Sequence, residues 1–239
     1  MSGTTEKTVG ELALENPAAT RVFEKLGIDY CCGGGQSLAQ ACQAARRSID
    51  EVKTALAAVS AGAAAPLRNW PAEPISELVA HIRNTHHVYT REEIARLGPL
   101  FDKVCSVHEK NHPELAGLRD IFGGLAEELT AHLMKEEMVL FPYIVRMEEA
   151  VVARQALPTP PFGTVRNPVE AMMHEHDAAG GALRNMHEIA SGYTAPPDAC
   201  ASFQTLFRAL AAFEADLHQH IHLENNLLFP RAIDMERAQ

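Results

Sequence analysis

The chain has 239 residues, of which 46 % are hydrophobic and 22 % charged, with twelve histidines, five cysteines and a formal net charge of −10. That apolar content fills one large core or two small ones, and the acidic balance excludes a nucleic-acid surface, which needs clustered Lys and Arg. No basic segment leads into an apolar stretch and no apolar run reaches membrane-spanning length, so neither a secretory signal nor a membrane span is expected. The odd cysteine count, without disulfide-scaffold spacing, reads as reduced thiols in the cytoplasm.

Alternating β-branched runs are nearly absent and helical periodicity dominates, so an all-α fold is expected. Residues 1–62 read as a small helical domain. Its helices are Thr8 to Leu14, Pro17 to Leu26 with Gly27 just past the end, Ser37 to Cys42, and Ser48 to Val59. Between the second and third lies Asp29-Tyr30-Cys31-Cys32-Gly33-Gly34, a glycine-rich turn carrying two adjacent thiols. Such a pair can relay electrons or receive metal if it has thiolate character, or one thiol can simply pack while the glycines shape the turn. Residues 63–74, rich in Ala and Pro, read as a linker. Residues 75–239 then hold four long helices at roughly 74–97, 113–147, 167–190 and 198–236. The breaks fall near 105–113, from Leu157 to Pro168 and from Ser191 to Pro197, giving an up-down four-helix bundle of two hairpins.

The two hairpins are related by an internal repeat. The eleven residues from His132 to Pro142 recur 88 positions later, from His220 to Pro230, with His, Glu, Leu, Phe and Pro in register. Residues four apart share a helix face, so each copy sets an imidazole beside a carboxylate. Leu118, Phe122, Leu125, Leu129, His132, Glu136 and Leu140 form one apolar stripe; Leu206, Leu210, Phe213, Leu217, His220, Glu224 and Leu228 form its counterpart. A carboxylate on a core-facing stripe loses several kcal/mol of solvation unless paired. Cations between facing helices account for two such pairs better than a hydrogen-bonded polar core does.

The other two helices supply further imidazoles. On the third, His176 shares a stripe with Val169, Met172, Met173 and Leu183, whereas His174 lies on a different, solvated face. On the first, periodicity against Ile75, Val79, Ile82 and Leu97 selects His86, while the repeat spacing pairs His87 with His176. Periodicity alone leaves that choice open. Four imidazoles and two carboxylates exceed what one tetrahedral zinc takes. They suit two metals, each with two His, bridged by both carboxylates, and the mixed nitrogen and oxygen donors favour iron or manganese. The order His-x-x-x-Glu departs from the Glu-x-x-His of ferritin-like bundles. Cys42, Cys105 and Cys200 have no partner spacing and read as structural.

With these motifs the chain resembles, over nearly its whole length, the RIC family (repair of iron centres), di-iron proteins of the YtfE, ScdA and NorA type. The residues that carry the resemblance are Asp29-Tyr30-Cys31-Cys32-Gly33-Gly34, His132 and Glu136 before Leu-Phe-Pro, Glu175-His176-Asp177, and His220 and Glu224 before the second Leu-Phe-Pro. The resemblance implies a ScdA-type amino-terminal domain and a hemerythrin-like bundle holding two iron ions per chain, oxo- or hydroxo-bridged when oxidised. Its ligands are His87, His132, Glu136, His176, His220 and Glu224, which selects His87 over His86. This is one histidine fewer than in oxygen-carrying hemerythrins, implying a more open and labile iron. Glu128 and Glu175 are implied to lie near the site or its channel, and Cys31 and Cys32 to act as a thiol relay. The function implied is a cytoplasmic response to nitrosative and oxidative stress. The iron binds nitric oxide, reduces it, or is supplied to damaged iron–sulfur proteins, and a homodimer through the amino-terminal part is compatible with it. The alternatives are a hemerythrin-like oxygen or redox sensor, and more remotely a zinc hydrolase.

Overall fold

The computed structural model describes residues 7–60 and 69–238; the linker expected at 63–74 lies outside the described residues from 63 to 68. The described residues are helical apart from connections and one isolated bridge between Thr8 and Ser37. The amino-terminal part comprises α1 (Val9–Glu15), α2 (Ala18–Leu26), α3 (Leu38–Ala44) and α4 (Ile49–Ser60). Capping boxes start α1 and α3, in which Thr8 and Glu11, and Ser37 and Gln40, satisfy each other's free backbone N–H groups. The two starts lie side by side, since the Val9 N–H donates to Gln36 O at 3.0 Å and the Leu38 N–H to Lys7 O at 3.2 Å. Gly27 ends α2 at φ 68°, where the Ile28 N–H reaches back to Phe23 O at 2.8 Å. Val9, Phe23, Tyr30, Leu38 and Val52 form a core of their own.

The rest is a bundle of four rods, three of them containing one π turn. The first rod is α5 (Ile75–Ile82), a π turn (Arg83–His87) and α6 (Val88–His108); the second is α7 (Glu114–Lys135), a π turn (Glu136–Leu140) and α8 (Phe141–Val152). The third is α9 (Arg166–Ile189), uninterrupted. The fourth is α10 (Ala201–Leu223), a π turn (Glu224–Leu228) and α11 (Phe229–Arg237). The Phe141 N–H donates to Glu136 O and the Phe229 N–H to Glu224 O, five residues back. Pro142 and Pro230 follow at once, so each wide turn sits where the next residue has no N–H to give.

The first rod runs past the end expected at residue 97. Gly98 and Pro99 follow that point, and α6 continues through Pro99 to His108. An interior proline costs about 3 kcal/mol. Complete or nearly complete burial of Leu97, Phe101, Val104 and Cys105, all under the helix, outweighs it. The repeat also appears in how rods begin. Glu148 on α8 accepts the Ile75 and Ser76 N–H groups at 2.5 and 2.8 Å, and Glu236 on α11 accepts the Val165 N–H at 2.8 Å and the Thr164 hydroxyl. Each half thus caps a rod with a carboxylate from its neighbour.

The glycine-rich turn of the amino-terminal part docks on the fourth rod. The Asn226 amide donates to Cys31 O at 3.0 Å, and a Cβ at Gly34 would lie 2.1 Å from Asn226 Oδ1. Gly10 is equally confined, its Cβ position 2.8 Å from the same oxygen. A Gly34→Val variant should therefore lift the Cys31-Cys32 turn off the bundle. The expected readout is faster hydrogen exchange from Asp29 to Gln36 with the bundle amides unchanged; unaltered exchange there would show the contact to be dispensable.

Candidate metal centre

The six residues expected as metal ligands meet at one level of the bundle. Above and below them lie separate apolar clusters, one containing Leu129, Leu217 and Ile221, the other Ile82, Leu140, Met172 and Leu228. His87, Glu136, His220 and Glu224 are 0 % exposed, and His132 and His176 only 3 % and 2 %. Their donor atoms form two sets, His87, Glu136, His220 and Glu224, and His132, Glu136, His176 and Glu224, in each of which all atoms lie within 4.8 Å of one another. Both carboxylates belong to both sets.

The choice between His86 and His87 is settled geometrically by the first π turn. An ideal α-helix from Ile75 would turn His86 inward, but the wider turn at Arg83–His87 advances the register, and both rings become buried. His87 joins the carboxylates, with Nε2 3.4 Å from Glu136 Oε2 and 3.2 Å from His220 Nε2. His86 instead lies parallel to His220, ring centroids 5.8 Å apart, with Nδ1 3.0 Å from Asp216 Oδ1.

Hydrogen bonds on the far side of the rings fix which nitrogen faces inward. His132 Nδ1–H donates to Glu175 at 2.8 Å, and His176 Nδ1–H donates to Asn225 Oδ1 at 2.8 Å. Their Nε2 atoms then face each other at 3.1 Å as two lone pairs, an arrangement that repels unless a cation or proton stands between them. His87 Nδ1–H donates to Glu137 at 2.8 Å, itself paired with Arg91. Both oxygens of Glu136 are buried without a hydrogen-bond donor. These are the marks of a metal site: imidazoles locked by outer partners with Nε2 inward, and carboxylate oxygens left free for an ion.

The titration directions follow from the crowding. Burial, then the neighbouring Glu224 charge, push Glu136 up to about 7. Burial also works to raise Glu224, but His220, His176 and His87 hold it well below the usual carboxylate range. Burial and His176 press His132 down to about 4, whereas Glu136 and Glu224 overcome burial and lift His87 to about 10. At His176 too, Glu224 and Glu136 overcome burial and lift the imidazole to about 9.

Glu175 and Glu128 line a groove of about 540 Å³ between α7 and α9 that reaches His132 and His176. Glu175 also pairs with Lys135, so it links the groove to the centre, while Glu128 stays exposed on the wall. His174 lies exposed on the same wall. Cys31 is buried and Cys32 half-buried; the Cys32 thiol donates to the His176 carbonyl at 3.5 Å, on the outer side of α9. The adjacent Cys32 thiol, then burial, push the Cys31 thiol well up. Cys42 and Cys105 are buried, but Cys200 is exposed beside His108, so the structural role expected for it does not hold. Sequence reasoning missed Glu137, Asn225 and Asp216. Glu137 and Asn225 each follow a core carboxylate and are themselves repeat mates, a signal that was present in the spacing.

If the layer is built for a cation, Glu136→Gln should act oppositely with and without metal. After exhaustive chelation the variant should melt higher than the parent, by on the order of 1–2 kcal/mol, because a buried carboxylate with no donor is gone. With metal restored it should melt lower and retain less of it. Destabilisation under both conditions in calorimetry would indicate a hydrogen-bonded polar core.

Residues 78–232 match the Hemerythrin HHE cation binding domain family, and residues 5–60 match a domain of unknown function, DUF542. Similar proteins include those named iron–sulfur cluster repair protein YtfE from Cronobacter sakazakii, 37 % identical over 97 % of this chain and 98 % of the relative, and from Musicola paradisiaca, 36 % identical over 95 % and 96 %. The one from Escherichia coli O81 is 35 % identical over 95 % of this chain and 97 % of its own. With both domains matched and relatives aligned from end to end, the chain belongs to the repair-of-iron-centres family of YtfE-type iron–sulfur cluster repair proteins.

Proposed function

We propose that the buried layer holds two iron ions per chain and that the protein serves the repair of iron–sulfur clusters damaged by nitrosative or oxidative stress. The observation that carries this reading is the pair of donor sets, each with two imidazoles, sharing Glu136 and Glu224. Iron held there would supply redox electrons and an open coordination position for nitric oxide, and is itself the cargo that a damaged cluster needs. His87 and His220 would hold one ion and His132 and His176 the other, with Glu136 and Glu224 available to both.

The chain's own residues make the two positions unequal. His132 and His176 adjoin the groove, and the carboxylates of Glu175 and Glu128 on its walls favour the passage of a cation as well as a small ligand. His87 and His220 are shut in by the His86 ring and its partner Asp216. The His132 and His176 side would therefore be the route of entry and exit, and there Glu175 orients the His132 ring. Neutral imidazole donors make release sensitive to acid, because protons compete for Nε2. Cys31, tied to the fourth rod through Asn226, and Cys32, whose thiol meets the His176 carbonyl of α9, would take part from the outer face of that helix. The reducing cytoplasm suits a chain whose five cysteines are all free.

Anaerobically purified protein should contain about two irons per chain, as the donor count requires. A His132→Ala, Glu136→Ala, His220→Ala and Glu224→Ala variant should retain none; one zinc per chain would overturn the reading. Glu175→Gln should weaken iron retention by roughly 10- to 100-fold while leaving the fold intact, as loss of an orienting carboxylate does. A hemerythrin-like oxygen sensor makes a different prediction: a long-lived oxygen complex, insensitive to Cys31→Ser and Cys32→Ser. Stopped-flow mixing with oxygen and with nitric oxide separates the two.

A further inference from the structure

At the far end of the bundle, about 27 Å along α7 from His132 by helical rise, the two hairpin turns bring four metal-ligating side chains together. His108 closes α6, and His112 sits in the following turn, where the Asn111 and His112 N–H groups both return to His108 O at 3.0 and 2.9 Å. Asp198 and Cys200 come from the connection between α9 and α10, with Cys200 immediately before α10. His108 Nε2 is 3.2 Å from Cys200 Sγ, and His112 Nε2 is 3.1 Å from Asp198 Oδ2. The two imidazole rings lie 6.2 Å apart, each 5.3 Å from the fully buried Phe203 ring.

We propose that His108, His112, Asp198 and Cys200 form a second site, for one divalent cation of zinc's class. The donor set is two imidazoles, a carboxylate and a thiolate, four ligands of the kinds that tetrahedral zinc takes at about 2.0–2.3 Å. It differs in kind from the bundle centre, which has no sulfur. The donors stand as two close pairs, not yet one tetrahedron. Asp198 and Cys200 are exposed and both rings are half-buried at the rim of the bundle, so a cation would draw the two pairs together by side-chain rotation. His112 is oriented as a ligand should be, since its Nδ1–H donates to Glu114 at 3.1 Å and its Nε2 faces the cluster. A cation here would clasp the turn of one hairpin to the turn of the other.

Cobalt(II) is the probe, titrated anaerobically into the full-length Cys31→Ser and Cys32→Ser protein, so that Cys200 is the reporting thiol. A thiolate-to-cobalt charge-transfer band saturating at one equivalent, and displaced by zinc, is expected. Cobalt in the bundle centre cannot give this band, because all six donors there are nitrogen or oxygen. Adding Cys200→Ser should abolish the band, and His112→Ala or Asp198→Ala should weaken binding about tenfold or more. Zinc should also raise the Tm of the parent but not of the Cys200→Ser protein. No band, a band that survives Cys200→Ser, or an affinity indifferent to both His112→Ala and Asp198→Ala would overturn the proposal.

Discussion

Two carboxylates with no access to solvent, in the middle of an apolar bundle, set the terms for everything around them. An unpaired charge in such a place costs several kcal/mol. Glu136 and Glu224 are therefore ringed by four imidazoles, and three of those rings are held from outside by Glu137, Glu175 and Asn225. The surrounding core is divided in consequence. Leucines and phenylalanines pack on either side of the polar layer, and the four rods span it without a break. The polar layer thus divides two apolar halves within one bundle.

Much of this was legible in the sequence, because burial and repetition both leave periodic traces. The stripes through His132 and Glu136, and through His220 and Glu224, are buried residue for residue. The first helix was harder. Its apolar residues follow an α-helical period that points to His86, and nothing in composition announces that a π turn intervenes and brings His87 to the carboxylates. The first rod is also longer than expected, because buried side chains on both sides of Pro99 carry α6 through it. Glu148 and Glu236 were invisible because a glutamate on a helix surface usually meets only water, whereas each of these caps another rod. Cys200 lacked any sequence partner because its neighbour His108 is 92 residues away.

The repeat is close but unequal where it matters for access. Glu175 supports His132, and the corresponding place beside His220 is taken by His86, which stacks on the ring without donating to it. His220 Nδ1 is left buried without a partner. One half of the centre thus has a carboxylate-lined groove leading to it, and the other has an imidazole laid across it. A symmetric frame carries an asymmetric entrance.

The way the donors are shared between hairpins says something about how such a centre arises. Each of the two donor sets takes one histidine and one glutamate from the first hairpin and one of each from the second. A single hairpin therefore owns half of each position and the whole of neither. Two identical hairpins about a twofold axis would assemble the same two donor sets, so the centre is in essence an interface between hairpins. Joined in one chain, the two halves need not be alike, and Glu175 stands where its counterpart is His86.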